Sequence, residues 1–207
     1  MKNWQKKPLA VAYLAALVVW IFMVLVSGLQ AAWHTVRGSV GNGEVSLQQL
    51  QLTALVEQKP NAEIPEGDWL VSSDSDPQIR WNCGGKYIDV VELDMQTLWP
   101  TGAVVLYYRT VGQPDFSPER IFYAQITEDG KYRFDLGGKV VEEIRIDPAS
   151  SGGVILKIEG LQLHAWELSN LVPNFGQLAL LLWLPVVVAA AWNICSSAFG
   201  SPKSSKE

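Results

Sequence analysis

Residues 144–163 read IRIDPASSGGVILKIEGLQL, and this stretch indicates the fold of the central part of the chain. Its first four residues alternate apolar and charged side chains, the period of two that is typical of a strand with one buried face. Serines and glycines at 150–153 then predict a turn. A second apolar alternation starts at Val154, and its phase reverses at Gly160, where a glycine favours a bulge or bend. The stretch therefore predicts two strands of a half-buried sheet.

Similar strand patterns, separated by turn residues, extend over most of the middle of the chain. Asp129-Gly130 between two such runs is a hairpin signal, and the glycine pairs at 84–85 and 137–138 predict further turns. Strands are predicted near residues 45–56, 68–72, 78–82, 86–95, 102–109, 119–127, 131–136, 140–147 and 153–164. The first of these runs also fits a helix. Eight or nine strands within roughly 120 residues predict a mainly β fold, a two-sheet sandwich or jelly roll.

Two apolar segments without charged residues flank this region, at residues 9–29 and 175–199. Twenty-one residues at about 1.5 Å each span roughly 30 Å, the thickness of the hydrocarbon core of a bilayer. Both segments are therefore predicted to be transmembrane helices, the second kinked at Pro185. The first apolar run is longer than the roughly 7–15 residues of a signal-peptide core, which favours a retained anchor. Cleavage stays open as an alternative, because small residues lie at and just beyond the end of this segment, among them Ser27, Gly28, Ala31 and Ala32.

The charges around the two segments predict the topology. The tails at residues 1–8 and 200–207 are rich in lysine, so both are predicted to be cytoplasmic, with residues 36–167 forming a domain outside. Residues 33–170 hold 11 Lys and Arg against 20 Asp and Glu, a net charge of −9. Tryptophan favours the membrane–water interface, and four are predicted to be membrane anchors: Trp4, Trp33, Trp166 and Trp192.

The composition excludes several classes of protein. Among the 207 residues, 48% are hydrophobic and 18% charged, and the net charge is −5. These values argue against a disordered chain and against a basic nucleic-acid-binding surface. Two cysteines cannot frame a disulfide-rich fold, and Cys83 is predicted to be buried. Because the two histidines flank the predicted spans and no nucleophile motif is present, no catalytic residue is assigned.

Two groups of residues are candidates for ligand or metal contacts. Aromatic faces stack on sugar rings, so Trp99, Trp69 and Trp81 are candidate ligand-binding residues, of which Trp99 is the best candidate for exposure. The alternative is that these aromatic side chains fill the core. Carboxylates at Asp68, Asp74 and Asp76 could hold Ca²⁺, which prefers oxygen ligands, although an acidic turn in a solvated loop explains them equally well. No other cofactor is expected.

Five segments resemble a known family: GDWLVSSDSDPQI (67–79), VLYYRT (105–110), FSPER (116–120), YRFDL (132–136) and residues 144–163. In this order they resemble the galactose-binding-like jelly-roll domain attached to bacterial membrane proteins of cell-surface polysaccharide synthesis, which typically accompanies glycosyltransferases. The resemblance covers residues 67–165 and includes an Arg-x-Asp-Pro turn at 145–148. It implies a bacterial inner-membrane protein with a periplasmic central domain. The resembling proteins carry their catalytic machinery in further membrane helices or a cytoplasmic domain, whereas this sequence ends one predicted helix after the sandwich. The expectation is therefore that the enzyme part is a separate polypeptide, or that the protein is not part of an enzyme.

The favoured functional hypothesis is therefore a non-catalytic, membrane-anchored periplasmic module of cell-surface glycan assembly or export. It would dock on a membrane glycosyltransferase or polysaccharide-export protein, or contact glycan, and its remaining partner is the lipid bilayer. One alternative is a stand-alone sugar-binding receptor or tether. Two further alternatives remain. One is a structural scaffold for a membrane complex, which would use the small residues 189–191 of the second span, and the other is a hydrolase based on carboxylates.

Overall fold

The computed structural model describes residues 7–173 and 175–199. Residues 1–6 and 200–207, which include Trp4 and most of the two predicted cytoplasmic tails, lie outside the described residues. The described helices and strands are α1 (Pro8–Val36), β1 (Gly43–Val45), β2 (Gln51–Thr53), β3 (Leu55–Gln58), β4 (Trp69–Ser72), β5 (Gln78–Thr97), β6 (Val105–Arg109), β7 (Ile121–Tyr123), β8 (Gln125–Ile126), β9 (Tyr132–Asp147), β10 (Ile155–His164) and α2 (Phe175–Phe199). The chain is thus mainly β, with an apolar helix near each terminus.

Two long antiparallel strands, β5 and β9, organise the sheet because each pairs with different neighbours along its length. The first part of β5 lies between β2 and the last part of β9, which in turn pairs with β6, and β6 pairs with β7. The last part of β5 pairs with β10, and the first part of β9 pairs with β8. Strands β1 and β4 extend the sheet from β10, and β3 pairs with β4. The result is a half-barrel that is consistent with the predicted β-sandwich.

The glycine pairs do not form the predicted turns, and that prediction was wrong. Gly84-Gly85 lies inside β5 and Gly137-Gly138 inside β9, so four predicted strands are two long ones. All four glycines have positive φ, from +62° to +73°. The register of β5 against β9 shifts between Asn82 and Lys86 and again between Ile88 and Val90. The glycines therefore supply the left-handed backbone of bulges, which bend a strand without ending it.

Other local predictions have mixed outcomes. The phase reversal at Gly160 is confirmed, because the register of β10 shifts between Ile158 and Gly160. The hairpin at Asp129-Gly130 is confirmed by the pairing of β8 with β9. The predicted strand at 45–56 is wrong as one element, since it is divided among β1, a 3₁₀ turn, β2 and part of β3. The run at 119–127 is likewise divided into β7 and β8.

One hydrophobic core fills the curve of the sheet. Its fully buried side chains come from β5, β6, β9 and β10, and the largest of them is Phe134. Cys83 is 1% exposed in this core, as predicted. A second, smaller cluster contains Ala31, Tyr87 and Ala165. Here the ring of His34 stacks on Tyr87 with centroids 4.7 Å apart, so the last turns of α1 pack within the β unit, residues 30–166.

The other compact unit contains residues 8–29 of α1 together with α2. Pro8–Val36 and Phe175–Ser196 are long and apolar enough to cross a membrane, by length and composition. The Tyr13 hydroxyl donates a hydrogen bond to the carbonyl oxygen of Leu182, 3.0 Å away. Pro185 lies buried in α2, beside a groove of about 370 Å³ between the two helices. The helices therefore contact one another through a polar bond as well as apolar packing.

The buried thiol of Cys83 predicts a loss of stability at high pH. Burial raises the pKa of this thiol from 9.0 to about 12, although a hydrogen bond with the backbone of Ile144 opposes the shift. Because the unfolded chain loses this proton first, the free energy of unfolding should fall as pH rises from 9 toward 12. The expected loss by pH 10.5 is about 2 kcal/mol. Urea titrations of wild type and Cys83→Ala between pH 8 and 10.5 measure this loss. If the free energy of unfolding fell equally steeply with pH in both proteins, the buried thiol would not be its cause.

Candidate functional site

The three predicted ligand-binding tryptophans lie in different environments. Trp69 and Trp81 are buried, at 5% and 7% exposed, whereas Trp99 is 51% exposed and follows the end of β5. Of the three, only Trp99 therefore presents a substantial part of its side chain to solvent. A ligand contact at these positions remains a prediction, and the structure does not bring the three rings together into one exposed row.

The candidate calcium ligands are engaged with other groups in the loop before β5. Asp74 Oδ1 accepts a hydrogen bond from the backbone amide of Asp76. The Asp76 carboxylate accepts hydrogen bonds from Gln78 Nε2 at 2.7 Å and from Arg145 Nη2 at 2.5 Å. Asp68 is exposed. A guanidinium beside Asp76 repels a cation, so the calcium hypothesis stays a prediction with an electrostatic argument against it.

The predicted membrane anchors can be placed in part. Trp33 and Trp192 are 57% and 64% exposed, on α1 and α2. Trp166 is partly buried and packs against the small cluster around Tyr87. Trp4 lies outside the described residues. Their positions relative to a bilayer remain predictions.

A different set of side chains forms a polar surface on the β unit in which charged groups are linked by hydrogen bonds. The outward positions of three adjacent strands, β5, β9 and β6, carry opposite charges and an aromatic ring. Cross-strand register places Tyr107 opposite Arg145 and Arg145 opposite Arg80, while Arg109 faces Glu143. We call this surface the arginine face, and it consists of Arg80, Tyr107, Arg109, Glu143, Arg145 and Asp147. It arises because the inward positions of the same strands are apolar, so alternation sends every polar neighbour outward.

Glu143 joins two strands at the centre of the arginine face. Its Oε1 accepts a hydrogen bond from Arg80 Nε at 2.9 Å and forms an ion pair with Arg80 Nη2 at 2.6 Å. Its Oε2 accepts a hydrogen bond from Arg109 Nε at 2.7 Å. The Glu143 side chain is only 10% exposed. A carboxylate so buried requires charged partners, and both of its oxygens have them.

Arg145 forms a second cluster on the same surface. Its Nε and Nη2 donate to the two oxygens of Asp147 at 2.6 and 2.8 Å, a bidentate pair. Nη2 also donates to Asp76, and the guanidinium carbon lies 5.3 Å from the centroid of the Tyr107 ring. The Asp147 hydrogen bond is the main reason that the pKa of Arg145 is raised above its usual value. The Arg-x-Asp part of the predicted turn is thus an ion pair on the strand surface.

The loop between β6 and β7, residues 110–120, closes one side of the arginine face. Phe116 in this loop lies under Arg80, whose guanidinium carbon is 5.4 Å from the ring centroid. Gln113 fastens the loop, because its carbonyl oxygen accepts a hydrogen bond from Arg109 Nη1 at 3.0 Å and its Oε1 accepts one from Arg120 Nη1. The guanidinium groups of Arg80 and Arg109 are therefore positioned both by Glu143 on β9 and by residues of the loop.

The arrangement can bind a polar ligand without large rearrangement. Guanidinium and carboxylate groups are planar and pre-oriented by their mutual hydrogen bonds. Exposed or half-exposed polar side chains continue the surface to either side: Gln51, Thr53, Gln78 and Asn82. Tyr123, 67% exposed, lies opposite Val105 at the β7 edge and adds an accessible aromatic ring. This combination of hydrogen-bonding groups with aromatic rings suits a polyhydroxylated ligand better than an apolar one.

Sequence reasoning did not select the arginine face. The outward arginine and aspartate of residues 144–147 were visible as charged strand positions, but they were assigned to a turn. A usable signal was the repeat of charged residues at outward positions in three predicted strands, at residues 80, 109 and 143–147. Strands β6 and β9 are separated by two other strands in sequence, however, so their pairing could not be inferred from the local pattern.

Comparison with known proteins gives likenesses among solved structures only. No family model matches the chain, and no curated protein matches it. Its fold is similar to a fucose-binding module, SpX-3, of Streptococcus pneumoniae, with 8% identity, a TM-score of 0.41, and coverage of 62% of this chain and 97% of that one. It is also similar to a low-affinity xylan-binding module, CBM86, of Roseburia intestinalis, with 10% identity, a TM-score of 0.36 and coverage of 58% and 92%.

A third similar structure is a family 6 module of Clostridium stercorarium in complex with cellobiose, with 11% identity, a TM-score of 0.30 and coverage of 59% and 86%. All three are carbohydrate-binding modules. At such identities and TM-scores, these likenesses do not identify a ligand for this chain.

Proposed function

We propose that this chain is a non-catalytic, membrane-anchored module whose β unit binds glycan through the arginine face, in cell-surface glycan assembly or export. The observation that carries the proposal is the built polar surface itself. Three guanidinium groups and two largely buried carboxylates are fixed by hydrogen bonds of 2.6 to 3.0 Å. Fixed planar groups lose little conformational freedom when a sugar hydroxyl binds, which favours recognition.

The two apolar helices support the membrane part of the proposal. In the proposed topology α1 and α2 both cross a bacterial inner membrane, and the β unit between them is periplasmic. Most large side chains of α2 are exposed and apolar, such as Leu180, Trp183 and Val187. Exposed apolar surface of this extent is unfavourable in water and favourable in lipid.

Binding measurements on the full-length protein in detergent micelles test glycan binding. We expect measurable affinity for at least one member of a panel of immobilised neutral and acidic polysaccharides. Arg145→Lys keeps the positive charge beside Asp147 but removes the planar fork, and it should weaken that affinity about tenfold. Thermal melts establish that the variant is folded.

Arg133→Lys is the matched control. Arg133 also lies on β9 and also pairs with an aspartate two residues later, Asp135, at 2.9 Å. It belongs to the other half of the strand, away from the arginine face, so its substitution should leave binding unchanged. No binding by wild type to any polysaccharide would overturn the proposal, as would equal losses in both variants.

The exposed ring of Trp99 offers a different ligand surface, which corresponds to the alternative of a stand-alone sugar receptor. If Trp99 forms the binding surface, Trp99→Ala abolishes binding while Arg145→Lys leaves it intact. The opposite pattern supports the arginine face. The same titrations therefore distinguish the two surfaces.

We further propose that the helices dock on a membrane glycosyltransferase or polysaccharide-export protein. The support is the amount of apolar helix surface that α1 and α2 leave exposed among the described residues. Affinity purification of the full-length protein in mild detergent, followed by mass spectrometry, should recover such a protein in stoichiometric amount. Recovery of the protein alone would contradict the docking proposal and leave glycan binding to be judged by the titrations.

A further inference from the structure

The arginine face offers free hydrogen-bond donors on its guanidinium groups, whereas its carboxylate acceptors are largely buried. Nη1 of Arg80, Nη2 of Arg109 and Nη1 of Arg145 make no hydrogen bond to any other described residue. These three side chains are 36%, 23% and 23% exposed. In contrast, the carboxylates of Glu143 and Asp147 are only 10% and 14% exposed, and each of their oxygens accepts from a guanidinium.

From this asymmetry we propose that the ligand of the arginine face is an acidic glycan, a polysaccharide whose sugar rings carry carboxylates. The inference rests on the proposed function, because it assumes that the face binds glycan. A guanidinium with free N–H groups bonds a carboxylate through charge-assisted hydrogen bonds, which are shorter and stronger than those to a neutral hydroxyl. A neutral sugar offers no charge to these free N–H groups, and the two carboxylates of the face are too little exposed to accept readily from its hydroxyl protons.

The charge distribution of the site supports an anionic ligand. Arg80 and Arg145 lie directly opposite one another on neighbouring strands, an arrangement in which like charges repel. Two more charged groups lie at the rim, the 60%-exposed Asp76, which pairs with Arg145, and Arg120, which bonds Gln113. Among the hydrogen-bonded groups, four guanidiniums meet three carboxylates, a local positive charge that a ligand carboxylate would neutralise. The 110–120 loop also carries Asp115 and Glu119, so this positive charge is confined to the bonded cluster itself.

The net charge of the β unit around the arginine face indicates that a polyanion would be bound by specific contacts and not by general electrostatic attraction. The β unit, residues 30–166, holds 11 Lys and Arg against 19 Asp and Glu, a net charge of −8, so as a whole it repels an acidic polymer. Binding of such a polymer therefore requires specific contacts at the arginine face. The exposed side chains beside it, among them Gln51, Thr53 and Asn82, offer amide and hydroxyl groups to ring hydroxyls, which favours a glycan over an acidic peptide.

The test compares three polymers on the full-length protein in detergent, with a chelator present to keep calcium out. Polygalacturonate supplies carboxylates on sugar rings, its fully methyl-esterified form supplies the same rings without charge, and poly-glutamate supplies carboxylates without sugars. We expect polygalacturonate to bind at least about tenfold more tightly than either of the other two. Arg145→Lys should remove most of this preference, and Arg133→Lys should keep it.

Each outcome separates this inference from the proposed function. Equal affinity for the acidic and esterified polymers would overturn the preference for carboxylates and leave glycan binding intact. If poly-glutamate bound as tightly as polygalacturonate, the assignment of a glycan ligand would be overturned, and an acidic peptide would be indicated as the ligand. Binding of neutral polysaccharides from the wider panel, with none of polygalacturonate, would overturn the inference alone, whereas the failure of every glycan would overturn both.

Discussion

Substitution of Glu143 by glutamine is expected to destabilise the β unit by about 3 kcal/mol, because it leaves two guanidiniums without their shared counter-charge. Glu143 receives hydrogen bonds from both Arg80 and Arg109 while only 10% exposed. A glutamine keeps the shape but supplies one acceptor, and its amide protons point at an arginine. The partial exposure of the arginines limits the effect, since solvent can rehydrate their outer atoms.

The neighbouring carboxylate provides the control for this prediction. Glu142 adjoins Glu143 on β9 and is partly exposed, and it makes no ion pair with the described residues of the arginine face. Glu142→Gln should therefore change the free energy of unfolding by less than about 0.5 kcal/mol. Urea denaturation of the two variants measures the difference, and losses of similar size would show that the arginine face does not depend on Glu143.

The same substitution separates stability from recognition. Arg80 and Arg109 are positioned by Glu143, so in the variant their N–H groups lose the orientation that a ligand needs. At temperatures well below the melting point, Glu143→Gln should still be folded and yet bind polysaccharide more weakly than wild type. Unchanged affinity in the folded variant would mean that the ligand contacts a different surface, such as that around Trp99.

The sequence predicted the fold class because its signals are local. Alternation at residues 144–147 and the apolar runs at 9–29 and 175–199 depend only on near neighbours along the chain. The two glycine pairs were misread for the same reason. A glycine pair favours positive φ in a turn and in a bulge alike, and only the pairing of β5 with β9 distinguishes the two.

The arginine face could not be predicted because it depends on strand order. Arg80, Arg109 and Glu143 are separated by 29 or more residues in sequence, and they meet because β9 lies between β5 and β6. The pattern does predict that Arg145 faces away from the core, but it does not give the neighbouring strands. The tryptophans are the residues that the sequence marks as ligand candidates, and the burial of Trp69 and Trp81 reflects the use of large aromatic side chains to fill a β core.

Replacement of Gly138 by alanine is expected to destabilise the β unit by about 3 kcal/mol, because this glycine lies in van der Waals contact with the buried ring of Tyr87. An added Cβ would overlap the Tyr87 hydroxyl and lie 2.8 Å from its Cζ. Tyr87 is 3% exposed and its ring stacks on His34, so it cannot move freely aside. The effect combines the left-handed backbone, at φ +69°, with overpacking of about 1 to 3 kcal/mol.

Gly137 is an unusually close control for this effect. It has the same φ of +69° in the same bulge, but nothing lies within 4 Å of a Cβ placed on it. Gly137→Ala should therefore lose only the backbone contribution, about 1 kcal/mol. If both alanine variants melt at the same temperature, the Tyr87 contact is not what requires Gly138.

A second substitution assigns the difference to Tyr87 itself. Tyr87→Leu removes the phenol that an alanine at position 138 would strike, so Gly138→Ala should be less harmful in that background. We expect a coupling free energy of about 1 kcal/mol or more in the double-mutant cycle. Strict additivity would contradict the steric explanation. Because Tyr87 also packs in one cluster with Ala31 and stacks on His34 near the end of α1, positive coupling would show that the β9 bulge abuts the side chain on which the helix end packs.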